Sequence, residues 1–135
     1  MKTDTNYLFV YGTLMQGFGN NFAMKLQKSA VFEGNGSFSG LLYLVEWYPA
    51  AVYLQESESQ IYGEIYRLEN HEILIRELDE YEDVFEDESA SLYVRKIVPV
   101  NKENKTVVDC WVYLYNQSIE DLKRIESGNF RDVSL

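Results

Sequence analysis

The stretch Tyr7-Leu8-Phe9-Val10-Tyr11-Gly12-Thr13-Leu14 decides how the rest of the chain is read. Its apolar half is a strand, and a strand that stops at a glycine and a hydroxyl residue leaves backbone N–H groups free to turn toward an anion. A small acidic ligand, such as an amino-acid carboxylate, suits a turn of that kind. Tyr11, Gly12, Thr13 and Leu14 also read as an ordinary strand end at which glycine supplies an unusual backbone angle. The four residues alone leave both readings open.

Strands dominate the chain beyond Leu14. Asn20 to Lys28 is expected to be a short helix with Phe22, Leu26 and Met24 facing inward. Val31 to Val45 is a strand region that Gly34, Gly36 and Gly40 break into bulges or turns, with Leu41 to Val45 its firmest part. Tyr48-Pro49 punctuates the chain. Ala50 to Leu54 and Ile61 to Leu68 then form a hairpin around Gln55 to Gln60, and Leu92 to Val100 and Val107 to Tyr115 another around Asn101 to Lys105. Two further helices are expected, over Asn70 to Asp83 and Ile119 to Ser127. Many short strands with few helices predict an α+β fold, a small mixed β-barrel or strongly curled sheet with a few flanking helices.

A chain of 135 residues has the size of one domain, so residues 1–135 are expected to form a single unit. The 46% hydrophobic content and 15% aromatic content supply a core. The net charge of -10 would repel a phosphate backbone or an anionic membrane surface, so neither nucleic acid nor membrane is an expected partner. No apolar run reaches signal-peptide or membrane-span proportions, which predicts a cytoplasmic protein. One cysteine, Cys110, and one histidine, His71, exclude an internal disulfide and a Cys/His metal site. The acids between Glu77 and Glu88 lack the spacing and central glycine of a calcium loop, so no metal is expected. They read as a solvated face.

Drawn as a helix, the segment from His71 to Phe85 places Leu74, Leu78, Tyr81 and Phe85 on one stripe, widened by Ile75. Glu82 falls inside that apolar arc, Asp79 just outside it, and Glu77, Glu80 and Asp83 point away. A carboxylate on the apolar side must be paired, hydrogen-bonded or neutralised. Desolvation raises its pKa toward neutrality, where a proton shuttle works best. If the helix instead ends after Tyr81, Glu82 is one more solvated acid.

Taken in order, these segments resemble the gamma-glutamyl cyclotransferase-like superfamily, in the branch that includes gamma-glutamylamine cyclotransferases. Leu8 to Leu14 is similar to the family's opening strand and glycine loop, and Leu78-Asp79-Glu80-Tyr81-Glu82 to its Leu-Asp-x-x-Glu segment. Tyr48-Pro49-Ala50-Ala51-Val52 resembles a Tyr-Pro-Gly-Leu-Val segment and Ile61 to Tyr66 a Val-x-Gly-Glu-Leu-Tyr strand. Tyr93 to Lys96 and Trp111 to Asn116 are similar to the last two strands. Asp83 departs from the glycine that usually follows the catalytic glutamate.

The resemblance implies an enzyme without a cofactor, whose small-molecule substrate carries a gamma-glutamyl group. In a cyclotransferase the substrate's own α-amine attacks its γ-carbonyl, expelling an amine and leaving 5-oxoproline. Tyr11 to Leu14 would hold the α-carboxylate, Glu82 would act as general acid/base, and Tyr115 would line the pocket. The alternative is a non-catalytic domain of the same fold that binds a small metabolite or a protein. The leaving amine and the oligomeric state are not readable from the residues. Cys110, alternating with Val108 and Val112, reads as core, and His71 as exposed. Arg95 reads as an outward salt-bridging residue or a partner of Glu82 or substrate.

Overall fold

The computed structural model describes residues 5–12, 14–15, 21–45, 48–69, 75–79 and 91–132. Its elements are β1 (Tyr7–Val10), α1 (Asn21–Ser29), β2 (Ala30–Val45), β3 (Tyr48–Tyr53), β4 (Gln60–Leu68), β5 (Tyr93–Lys102), β6 (Val107–Tyr115) and β7 (Lys123–Arg124). Residues 75–79 are helical, and a 3-10 turn spans Phe130–Asp132.

The strands run in the order β3-β2-β4-β1-β6-β5, and β2 returns to pair with β5 through Gly36 and Ser37. Five strands, β2, β4, β1, β6 and β5, therefore close into a barrel, and the fold is α+β. Closure leaves no unpaired edge in the ring, which is how a small sheet avoids pairing with other chains. Among the described residues every ladder is antiparallel except β1–β6, which pairs in parallel through Leu8 and Trp111.

Alternation along the strands fills the interior. In β2, Gly36, Phe38, Gly40 and Leu42 are buried while the residues between them are partly exposed. Ile61 and Ile65 of β4, Val98 and Val100 of β5, and Cys110 and Val112 of β6 join them. Phe9 meets Phe38 edge to face at 5.5 Å. That much aromatic bulk needs empty space opposite it, and Gly63 supplies it. A Cβ there would press on the Val10 carbonyl and come within 2.8 Å of the Phe9 ring.

The long strand β2 explains two departures from the sequence reading. At 16 residues it spans about 50 Å. Ala30 to Ser39 pair with β4, and Gly40 to Val45 turn back on β3. The hairpin is thus β2–β3 and not the expected pairing of Ala50–Leu54 with Ile61–Leu68. Pro49 does not punctuate the chain but sits inside β3, opposite Leu44, where an edge strand tolerates a residue without an N–H. The bulge expected among the glycines falls between Phe32 and Gly34, and Gly34 has the positive φ of 120°.

The helix expected over Ile119 to Ser127 does not form. The Leu122 N–H bonds to the Ile119 carbonyl for a single turn, and then the Ile125 N–H donates to the Leu42 carbonyl at 2.7 Å. β7 adds to β2 through Tyr43 and Leu44. Past β4, that edge of β2 offers unpaired backbone groups, and a local helix cannot satisfy them. In α1, Ala23 and Leu26 are buried as an amphipathic helix requires, but Met24 is 49% exposed, against the expectation that it faces inward. The Phe22 side chain, His71, and most of the helix expected over Asn70 to Asp83 lie outside the described residues.

A Gly63→Ala substitution is expected to destabilise the protein by about 1–3 kcal/mol, because the new methyl meets backbone that cannot yield. A lowered urea midpoint with an unchanged m-value checks it. Burial pushes the Cys110 thiol up from 9.0 to about 12, with Asp109 adding to the rise and Lys102 opposing it. The thiol ionises more readily in the unfolded chain, so its contribution to stability is full below about pH 9 and is lost as pH rises toward 12. Between pH 9 and 11 the stability of the wild type should therefore fall more steeply than that of Cys110→Ala in chemical denaturation.

Candidate functional site

The parallel pairing of β1 with β6 brings the C-terminal ends of both strands to one rim of the barrel, together with the start of β5. Tyr11 follows β1, Tyr113 and Tyr115 end β6, and Tyr93 and Arg95 open β5. The Tyr11 hydroxyl donates to the Tyr113 backbone carbonyl. The Met15 N–H closes a turn onto the Gly12 carbonyl at 3.1 Å, leaving the Leu14 N–H outside the turn's own hydrogen bond. Leu14 and Met15 are both buried and anchor that turn in the core.

Gly12 is required by crowding. A Cβ would lie 2.6 Å from the Pro49 Cγ, so the turn sits directly on the Tyr48-Pro49 segment of β3. The Tyr93 hydroxyl donates to the Pro49 carbonyl, and the Tyr93 ring lies 6.4 Å from Tyr48 and 5.6 Å from Tyr115. Tyr11, Gly12, Leu14 and Tyr115 thus share one rim. Thr13 and Glu82 lie outside the described residues, as does Asp83.

The same rim holds a charged cluster that the sequence reading missed. The Asp79 carboxylate accepts from Arg95 Nε at 2.9 Å and Nη2 at 3.2 Å, and from the Tyr113 hydroxyl at 2.8 Å. Both partners of the ion pair are 23% exposed at their side chains, a bidentate geometry well sheltered from solvent. The Arg95 guanidinium also lies over Trp111, 4.3 Å from the ring centre. Arg95 is therefore neither a simple outward arginine nor, among the described residues, a free one. The β5–β6 register carried the signal: Arg95 pairs opposite Tyr113, so their polar tips project side by side and Asp79 bridges them. Leu78, fully buried, and Ile75 set the helical residues 75–79 against the core. Lys25 of α1 holds Glu77 from the other side.

A second carboxylate is more deeply buried. Glu64, 5% exposed, accepts from the Tyr66 hydroxyl at 2.9 Å and from Arg131 Nη2 at 3.1 Å, while Gln27 donates to the Tyr66 oxygen at 2.8 Å. Burial raises the Tyr66 phenol far above its ordinary range, and the neighbouring Glu64 charge adds to the shift. This network ties α1 and the 3-10 turn to β4. Among the described residues, no three His, Cys, Asp or Glu side chains gather as a metal would require.

Residues 8–132 match the family described as gamma-glutamyl cyclotransferase, AIG2-like. A curated relative from Citrobacter rodentium, gamma-glutamylcyclotransferase family protein ytfP, is 30% identical over 93% of this chain and 95% of its own. The crystal structure of an AIG2-like protein from mouse superimposes with a TM-score of 0.67 at 30% identity, over 90% of this chain and 86% of that one. YkqA from Bacillus subtilis has a TM-score of 0.70 at 24% identity, a likeness of fold alone, and the chain spans 96% of itself but only 40% of that longer protein. With residues 8–132 matched by the family and a relative 30% identical over nearly its whole length, the chain belongs to the gamma-glutamyl cyclotransferase, AIG2-like family.

Proposed function

We propose that the protein cleaves a gamma-glutamyl amine or amide by intramolecular attack and releases 5-oxoproline. The observation that carries this reading is the joining, through Tyr113 at one barrel rim, of the Gly12–Met15 turn and the helical residues 75–79, with Glu82 three residues further along the sequence. Family membership supports the reaction class, and the turn at the rim supports this location for it.

The reaction needs no protein nucleophile. The substrate's α-amine adds to its own γ-carbonyl, the C–N bond to the leaving amine breaks, and a five-membered lactam remains. Nitrogen must lose a proton on attack, and the leaving nitrogen must gain one. Glu82, as carboxylate, takes the first proton and returns it to the second. The turn at Tyr11, Gly12, Thr13 and Leu14 holds the α-carboxylate through backbone N–H groups, and Tyr115 flanks the glutamyl chain. Most of the rate then comes from holding amine and carbonyl within about 3–3.5 Å of each other.

Incubation with gamma-glutamyl amino acids, glutathione and gamma-glutamyl-ε-lysine, with 5-oxoproline as the readout, tests the proposal. Release of 5-oxoproline from at least one substrate is expected, and release from none overturns the reading. Glu82→Gln should lower kcat by about 10²–10⁴-fold on the substrate that the wild type turns over. Gly12→Ala forces the turn off Pro49 and should raise KM about tenfold, with a smaller change in kcat, in steady-state kinetics on the same substrate.

A further inference from the structure

Among the described residues, Tyr113 makes two hydrogen bonds that face different parts of the rim. Its hydroxyl donates to Asp79, on the helical residues 75–79, at 2.8 Å. Its backbone carbonyl accepts from the hydroxyl of Tyr11, the residue immediately before the glycine turn. The side chain is buried, so neither bond competes freely with water.

Each end of this bridge is held firmly. Asp79 is gripped by both Arg95 nitrogens, and the guanidinium is stacked on Trp111, two residues before Tyr113 on β6. Asp79 cannot shift without disturbing the Arg95 fork or the Trp111 contact. At the other end, Gly12 is pressed against Pro49 and its carbonyl is fixed by Met15. Strand β6 thus offers a phenol and a carbonyl to two segments that are far apart in sequence, and a ring to the arginine that holds one of them.

We propose that Tyr113 is a positioning residue that couples the helical residues 75–79 to the Gly12–Met15 turn, so that one strand sets the spacing between the two halves of the rim. The coupling is a property of the fold, while its catalytic consequence rests on the cyclotransferase reading. In that reading, the turn holds the substrate carboxylate and the segment after Asp79 carries the acid/base. A displacement of about 1 Å between them lowers the rate about a hundredfold.

Tyr113→Phe removes the phenol's bond to Asp79 and keeps the ring and the backbone acceptor. Hydrogen exchange on the full chain reads the result at the Met15 amide, which closes the turn, against the Lys102 amide, bonded to Thr106 at 2.8 Å at the far end of β5. Relative to Lys102, Met15 should exchange about tenfold faster in Tyr113→Phe. Tyr11→Phe should do the same, and the double variant should exceed the larger single effect little, as residues of one network do. Asp79→Asn, which weakens the same link from the other side, gives a second measure should Tyr113→Phe fold poorly. An unchanged Met15-to-Lys102 ratio in these variants overturns the coupling. On a substrate that the wild type turns over, Tyr113→Phe should lower kcat about tenfold and leave KM within about twofold. A wild type that is inactive on every substrate overturns the cyclotransferase reading, and the exchange ratio then still decides the coupling.

Discussion

The parallel pairing of β1 with β6 is the constraint on which the rest of the structure depends. β1 is four residues long, yet it supplies the wall between β4 and β6 and closes the ring. Without it two edges would open, each with a row of unpaired backbone groups. Parallel neighbours need a long crossover, and here nearly every other element lies in the chain between them. The direction of the pairing has a geometric consequence. It puts the exits of two strands on one rim, so the glycine turn after β1 arrives beside the tyrosines that end β6.

An acidic chain uses its few cations at joints. With 12 basic residues against 22 acidic ones, each well-placed cation has a choice of partners. Arg95 joins the helical residues 75–79 to β5 and β6, Arg131 joins the 3-10 turn to β4, and Lys25 joins α1 to the same helical residues. These joints differ in strength. In the Lys25–Glu77 pair the lysine is half exposed, so the pair adds less. The Arg95 fork is sheltered, bidentate and stacked, which a lysine could not reproduce. Arg131 serves a carboxylate that burial would otherwise penalise heavily. Loss of that arginine would do more harm than replacement of both partners by apolar residues of matching shape.

Much of the barrel was legible because its strands alternate. The β5–β6 hairpin, the opening strand and the bulged β2 all follow from period-two patterning and glycine placement. What escaped was decided by partners rather than by local pattern. Ala50 to Leu54 looks like half of a hairpin with Ile61 to Leu68, but β2 is long enough to serve both neighbours and takes β3 for itself. Ile119, Leu122 and Ile125 have helical spacing, and the open edge of β2 overrides it. At the rim, the end of β1 at Gly12 was readable from four residues, which left open whether the turn binds an anion. Asp79 was not, since its place just outside the apolar arc marks it as solvated until Arg95 and Tyr113 are known to lie across from it.

The tyrosines explain how a rim made of strand ends stays rigid. Where a sheet stops, carbonyl groups lose their ladder partners and need others. Tyr11 gives its hydroxyl to the Tyr113 carbonyl, and Tyr93 gives its own to the Pro49 carbonyl. In both cases the ring is packed in the core and the polar tip reaches strand backbone at the rim. A phenylalanine would fill the same volume and leave the carbonyl without that donor. The rim's order is therefore held by hydroxyls while the barrel's stability is held by rings, and the two can vary separately. Under the proposed cyclotransferase reading, in which rate comes from positioning, such a division lets the spacing at the rim be tuned without repacking the core beneath it.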